Sequence, residues 1–376
     1  MSENPLRRLA AYGQSVWLDF IDRRLIESGG LERLIEEDGL RGVTTNPSIF
    51  DKALEGGDAY DESIREAARK GMSVPEIARL ITTEDVRNAA DLFRPVYDEL
   101  HGRDGFVSLE VNPHFARDFS ATMNEAAELW AVLHRPNVFI KVPATIEGLQ
   151  CIRRLISEGI NINVTLLFGL ERYRMVADAY ISGLEDRAAA GLPIDRTASV
   201  ASFFLSRIDT LVDPLLEKHP HGDDKLAGRL RGRTAISCAR IAYRIYKEIF
   251  GSERFTNLAR LGARTQRVLW ASTSTKNPEF SDTKYVEALI GPDTVNTMPM
   301  ETLDAYRDHG DPALRLEQDL DEAYDNLHRL TELGVDMDKI SGQLEEEGIE
   351  KFNKPYDSLM ASLEKKRRAW CLSEAC

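Results

Sequence analysis

The sequence predicts an α/β fold closed as a (β/α)8 TIM barrel, with helical insertions and C-terminal helices. Two observations predict it. Short apolar strands alternate with longer helix-period stretches along the chain, the pattern of βαβ units around a parallel sheet. Eight such strands can be read, the number that closes a barrel of this kind. An open doubly wound sheet is the competing architecture, but no Gly-rich dinucleotide turn follows the first strand.

The strands are read at residues 15–20, 42–46, 106–111, 138–142, 161–167, 198–205, 267–273 and 295–298. A long insertion after the second strand holds helix patterns at about 59–70 and 74–100. Another after the sixth holds an amphipathic stretch at 232–250. Beyond the eighth strand come helix patterns at about 300–306, 314–333, 338–347 and 354–370. Nothing resembles a flexible linker, so residues 1–376 are read as one domain with insertions.

The period of two divides each strand into two faces. Val16, Leu18 and Phe20 share one, with Trp17 and Asp19 opposite. Val43 and Thr45 oppose Thr44 and Asn46, and Val107, Leu109 and Val111 oppose Ser108 and Glu110. Val138, Ile140 and Val142 oppose Lys141, and Ile162, Val164 and Leu166 oppose Asn161, Asn163 and Thr165. The sixth strand carries Ser202 and the seventh Ser272. The aliphatic face belongs under the helices, so the polar face points into the barrel. Barrel interiors are normally filled by branched aliphatics. Asp19, Asn46, Glu110, Lys141, Asn163, Thr165 and Ser202 converging at the catalytic end of a barrel therefore mark a site.

Their types suggest its chemistry. A lysine on a hydrophobic strand is costly to bury as a charge, and a neutral buried amine is a nucleophile for imine formation on carbonyls. Asp19 and Glu110 can move protons. The amides and hydroxyls can hold a polyhydroxylated substrate. The seven histidines are scattered, so no metal is expected, and no cofactor, since an imine can serve as the electron sink.

Acidic residues outnumber basic ones by 62 to 48, a net charge of −14. That balance argues against nucleic-acid or anionic-membrane partners, though a few local cations can still hold a phosphate. No apolar run is long enough to span a bilayer, and the N-terminus lacks the apolar core of a secretory signal. Cys151, Cys238, Cys371 and Cys376 show no metal or disulfide spacing, which suits reduced thiols in the cytoplasm.

The motifs Val43-Thr-Thr-Asn46-Pro-Ser, Val107-Ser-Leu-Glu110-Val, Phe139-Ile-Lys141-Val-Pro-Ala-Thr and Ile162-Asn163-Val-Thr165-Leu-Leu-Phe make the sequence resemble transaldolase. This is the Schiff-base enzyme of the pentose phosphate pathway that transfers a three-carbon ketone unit. The likeness runs from about residue 14 to 299, and the C-terminal helices fit it. It implies the (β/α)8 fold and small sugar-phosphate substrates, and it leaves a homodimer open. It implies that Lys141 forms the Schiff base and that Asp19 is the acid/base at the C4 hydroxyl. Glu110 and Thr165 are then the residues that activate a water for making and hydrolysing the imine. Asn46, Asn163 and Ser202 hold the dihydroxyacetone unit, with Ser272 beside them, and Arg207 binds phosphate. Many members carry Ala-Ser-Phe-Arg after the seventh strand, where this chain has Ala271-Ser-Thr-Ser-Thr-Lys276. The second phosphate role passes to Lys276. Two other readings share these residues: a fructose 6-phosphate aldolase that releases free dihydroxyacetone, and a non-catalytic sugar-phosphate-binding barrel. The complete acid/base set disfavours the second, and the long insertions disfavour the first.

Overall fold

The computed structural model describes residues 4–218 and 224–373. Its strands are β1 (Gln14–Leu18), β2 (Gly42–Val43), β3 (Phe106–Glu110), β4 (Val138–Pro143), β5 (Ile162–Leu167), β6 (Ser199–Phe204), β7 (Arg267–Ala271) and β8 (Thr294–Met298). All neighbours are parallel and in chain order, and β1 pairs with β8 as well as β2, so the sheet closes into a barrel. The eight expected strands are the eight found. Their outer faces carry Val16, Leu18, Val107, Leu109, Ile140 and Val164, buried beneath the surrounding helices as the alternation requires.

Several boundaries differ from expectation, each for a local reason. β2 stops at Val43 because Asn46 already caps the helix Pro47–Glu55, accepting the Ser48 amide at 3.1 Å. The Thr44 amide still donates to the Leu18 carbonyl at 2.9 Å, and the ladder ends there. β1 stops at Leu18, and Phe20, expected under the helices, lines the barrel mouth instead. The stretch 74–100 is two helices, Val74–Leu92 and Arg94–Glu99, broken just before Pro95, whose ring lacks an amide hydrogen and crowds the preceding turn. Of 314–333 only Leu320–Glu332 is helical. The amides of Arg315 and Leu316 both bond the Ile290 carbonyl, which ties that stretch to the loop before β8.

The two last helix patterns are one helix, Met337–Ser373, which runs through Pro355. Its inner face presents Ile340, Leu344, Phe352, Leu359 and Leu363, all buried. Burial along the whole length outweighs the single lost backbone bond. This helix crosses the barrel mouth. It comes close to β5 at Gly348, where an added Cβ would stand 2.9 Å from Leu166 Cδ2.

Inside the barrel an aromatic floor closes the N-terminal end. The Phe106 and Phe139 rings stack with centroids 4.2 Å apart, and Trp17 lies 6.1 Å from Phe139. Trp17 Nε1 donates to Asp104 Oδ1 at 2.8 Å, and Asp104 pairs with buried Arg267 at 3.3 Å. Gly42 makes room for this floor: a Cβ there would sit 2.5 Å from the Trp17 ring and 2.8 Å from the Phe106 carbonyl oxygen. Gly42→Ala is expected to destabilise the fold by about 1–3 kcal/mol through overpacking. Thermal unfolding measures it, and an unchanged midpoint would mean the floor has slack that the packing does not show.

Candidate active site

The polar faces meet above this floor. Lys141 points inward from β4 and is nearly fully buried: its side chain is 5% exposed. Nζ donates to the Thr45 carbonyl at 2.6 Å. That carbonyl lies just past the end of the β2 ladder. Glu110 ends β3, in register with Lys141, and its Oε1 lies 3.6 Å from Nζ, too long for a hydrogen bond but a close ion pair. Burial pushes the Glu110 carboxyl up to about 7, with nearby Asp19 adding to the rise and Lys141 and Arg207 opposing it.

Asp19 follows β1 at the same level. Its Oδ1 accepts the Thr44 hydroxyl at 2.7 Å, and Thr44 Oγ1 is also 2.7 Å from Thr297 Oγ1. Burial raises the Asp19 pKa, against the lowering effects of Lys141, Thr44, Asn46 and Arg207. Asp19 does not cap the next helix; Asp22 does, accepting the Leu25 amide at 2.6 Å. Ser202 donates to Asn163 Oδ1 at 2.6 Å, and Asn163 Nδ2 donates to Ser108 Oγ at 3.1 Å. This chain of polar groups stands beside Lys141, with which Asn163 is in register.

Three cavities reach the barrel mouth: one of about 450 Å³ lined by Asn46, Glu110 and the C-terminal helix, and two that together hold nine of the residues expected from sequence. The larger, about 530 Å³, is lined by Asp19, Asn46, Lys141, Ser202, Arg207, Ser272 and Lys276, seven of the ten residues expected from sequence. Its volume suits a small-molecule site. The smaller is lined by Glu110 and Thr165 and has about 10 Å³, the room one water needs. Thr165 Oγ1 and both Glu110 carboxyl oxygens are buried with no hydrogen-bond partner among the described residues. Asn163, the tenth residue, lies behind Ser202. A bulge in β5 shifts its register between Val164 and Leu167 and puts Leu166 at φ 54°. Bulges recur beside active sites, where they re-aim side chains; this one lies next to Thr165.

Arg207 lies just past β6, in the first turn of the helix Ser206–Glu217. Its guanidinium sits between two rings, 5.5 Å from the Phe204 centroid and 5.8 Å from Phe352. Burial lowers its pKa, and Nη1 has no hydrogen-bond partner among the described residues. Asp209, two residues on, faces away and accepts from Tyr285 Oη and the Ala235 amide, each at 2.8 Å. On the opposite wall Ser272 is held at φ 56°, 2.9 Å from Ser206 Oγ, and Lys276 Nζ donates to Ser274 Oγ at 2.6 Å.

Sequence reasoning missed Lys52, Lys351 and Phe352, which also line the larger cavity. It placed Thr44 on the inner face without giving it the task of holding Asp19. The period of two was enough to find Thr44, but no local signal brings Phe352 to the mouth. Among the described residues no group of three or more His, Cys, Asp or Glu is arranged to hold a metal ion. The arrangement offers a buried amine, two carboxyl groups with raised pKa values, a water-sized cavity and a cationic wall. That set can form and break an imine on a phosphorylated carbonyl compound.

Comparison with known proteins agrees with this chemistry. The sequence model of the transaldolase/fructose-6-phosphate aldolase family matches residues 16–363. A Thermobifida fusca protein named transaldolase is 49% identical over 95% of this chain and 96% of its own length. A Mycolicibacterium smegmatis transaldolase is 47% identical over 96% of this chain and 97% of its own. Transaldolase 1 of Streptomyces coelicolor is 49% identical over 96% and 94%. Among the described residues no helix is long and apolar enough to cross a membrane. A buried lysine in the fourth strand of a closed barrel, and relatives that match nearly end to end, lead to one statement: the chain belongs to the transaldolase/fructose-6-phosphate aldolase family.

Proposed function

We propose that this chain, as one barrel domain over residues 1–376, transfers a dihydroxyacetone unit from sedoheptulose 7-phosphate to glyceraldehyde 3-phosphate. The products are erythrose 4-phosphate and fructose 6-phosphate, and the reaction is reversible. The observation that carries the reading is a buried amine, Lys141, 3.6 Å from a buried carboxyl group, with Asp19 on the same mouth. Free, buried Cys151 and Cys238 suit a reducing compartment such as the cytoplasm.

The steps follow the geometry. Lys141 Nζ attacks the ketose carbonyl, and Glu110, titrating at about 7, passes the protons as water leaves. Thr165 helps to hold that water in the small cavity. Asp19, steadied by Thr44, takes the C4 hydroxyl proton as the C3–C4 bond breaks. The electron pair passes to the imine, the aldose phosphate departs, and the acceptor aldehyde takes its place. The three-carbon carbanion then bonds the acceptor carbonyl carbon, and Asp19 returns its proton to the acceptor oxygen. A water adds back at the imine carbon to free the new ketose and the Lys141 amine. Asn46, Asn163 and Ser202 hold the three-carbon unit meanwhile. The test mixes fructose 6-phosphate with erythrose 4-phosphate and follows sedoheptulose 7-phosphate. Free dihydroxyacetone in its place would make the chain an aldolase, and no product at all would sink both readings.

Arg207 reads the distal phosphate, supported by an unpartnered buried Nη1 on the cavity wall, with Lys276 as the second cation. Arg207→Ala is expected to raise KM for fructose 6-phosphate about 10–100-fold, the scale of a lost charge-assisted bond. Unphosphorylated fructose should change far less. Equal weakening of both sugars in steady-state assays would take the phosphate away from Arg207.

A further inference from the structure

The sugar cavity and the water-sized cavity are separate spaces, and among the described residues Phe352 alone lines both. It comes from the C-terminal helix, far from the barrel strands in sequence. Its ring centroid is 6.0 Å from Lys141 Nζ and 5.8 Å from the Arg207 guanidinium carbon, and the residue is 7% exposed. The helix is pinned on several sides. Arg172 reaches Glu345 at 3.2 Å and the Ala144 carbonyl at 2.5 Å, His114 meets Asp357 at 2.7 Å, and Arg117 pairs with Glu346. The close pass at Gly348 fixes its height over β5. Phe352 is therefore held in place, and a phenyl ring neither gives nor takes a proton.

We infer that Phe352 sets the fate of the three-carbon carbanion on Lys141, as the apolar wall between the sugar cavity and the water-sized cavity beside Glu110 and Thr165. This deepens the transaldolase reading and rests on it. After C3–C4 cleavage the electron pair has two outlets. In transfer, the nucleophilic carbon bonds to the acceptor carbonyl carbon, the acceptor oxygen takes a proton, and one water then hydrolyses the longer imine to free the ketose and the lysine amine. In release, that carbon takes a proton instead. One water then adds at the imine carbon, the C–N bond breaks, and dihydroxyacetone and the lysine amine are freed. Both outlets balance without any further reactant. Release needs a proton and a water at the carbanion before the acceptor arrives, and a closed apolar wall is the usual means of preventing such a leak.

The experiment gives fructose 6-phosphate to the enzyme with and without erythrose 4-phosphate. It measures the ratio of free dihydroxyacetone to sedoheptulose 7-phosphate. Borohydride trapping at Lys141 reports imine formation in the same samples. Phe352→Ala is expected to trap imine as the native chain does while raising the release-to-transfer ratio about tenfold, and Phe352→Leu about threefold, through readier water entry. A merely structural role would lower both products together and leave the ratio alone. An unchanged ratio in a variant that still traps imine overturns the inference. Should the alanine variant not fold, the leucine variant decides by the same ratio. A native chain that traps no imine overturns the transaldolase reading itself, and this inference with it.

Discussion

Lys141→Ala is expected to lose turnover on the order of 10⁵–10⁶-fold, the scale on which removal of a covalent nucleophile acts. Borohydride in the presence of fructose 6-phosphate should add a dihydroxyacetone-sized mass to the peptide containing Lys141 in the native chain, and none in the variant. The variant should stay folded by circular dichroism. What it leaves behind is an unused Thr45 carbonyl and a Glu110 carboxyl without its cation. Since Lys141 holds the Glu110 pKa down, its removal lets burial push that carboxyl further toward the neutral form, which limits the cost. A label on any other lysine, or turnover close to native in Lys141→Ala, would remove the nucleophile from β4.

The second large effect separates the two carboxyl groups. Asp19→Ala should slow C–C cleavage by about 10²–10⁴-fold while imine still forms. Glu110→Gln should slow imine formation and hydrolysis instead. Single-turnover trapping resolves the two steps, and matching defects in both variants would end the division of labour. The pH dependence follows from the environment of Glu110. Its carboxyl moves from an ordinary 4.5 to about 7. Imine formation should therefore inflect near pH 7, and Glu110→Gln should remove that inflection. Stability carries the same signature. An acid whose pKa is raised by folding contributes no destabilisation below its unfolded value and progressively more as pH rises toward the folded one. Urea unfolding should show stability falling between about 4.5 and 7 in the native chain, and falling less in Glu110→Gln.

Much of this was legible in the sequence because strands encode their faces locally. The alternation in β1, β3, β4 and β5 assigned Asp19, Glu110, Lys141, Asn163 and Thr165 to one volume; the folded chain brings all five to the barrel mouth, but Glu110 and Thr165 line a small second cavity and Asn163 lies behind Ser202. Arg207 was legible for a related reason: residues two apart on a helix diverge, so Asp209 could not neutralise it, and Asp209 bonds Tyr285 instead. Helix ends were harder. Pro95 breaks a helix while Pro355 does not, and the difference lies in the continuous buried face from Ile340 to Leu363, which local propensity does not record. The backbone acceptor for Lys141 was hidden because every residue carries a carbonyl. Phe352 was hidden because its partners lie on distant strands.

Barrel closure has a consequence for how the chain reaches this state. β1 has two neighbours, and one of them, β8, lies at the other end of the barrel sequence: Gln14 Nε2 donates to Thr294 Oγ1 at 3.0 Å across 280 positions of chain. Local helices can form early, but this pairing waits for a long loop to close, which is slow in proportion to its contact order. Until then β1 and β8 each present an unpaired edge, a template for another copy of the same chain. The finished barrel has no such edge. The pairing that completes it therefore also ends the interval in which crowded, half-folded chains can join edge to edge.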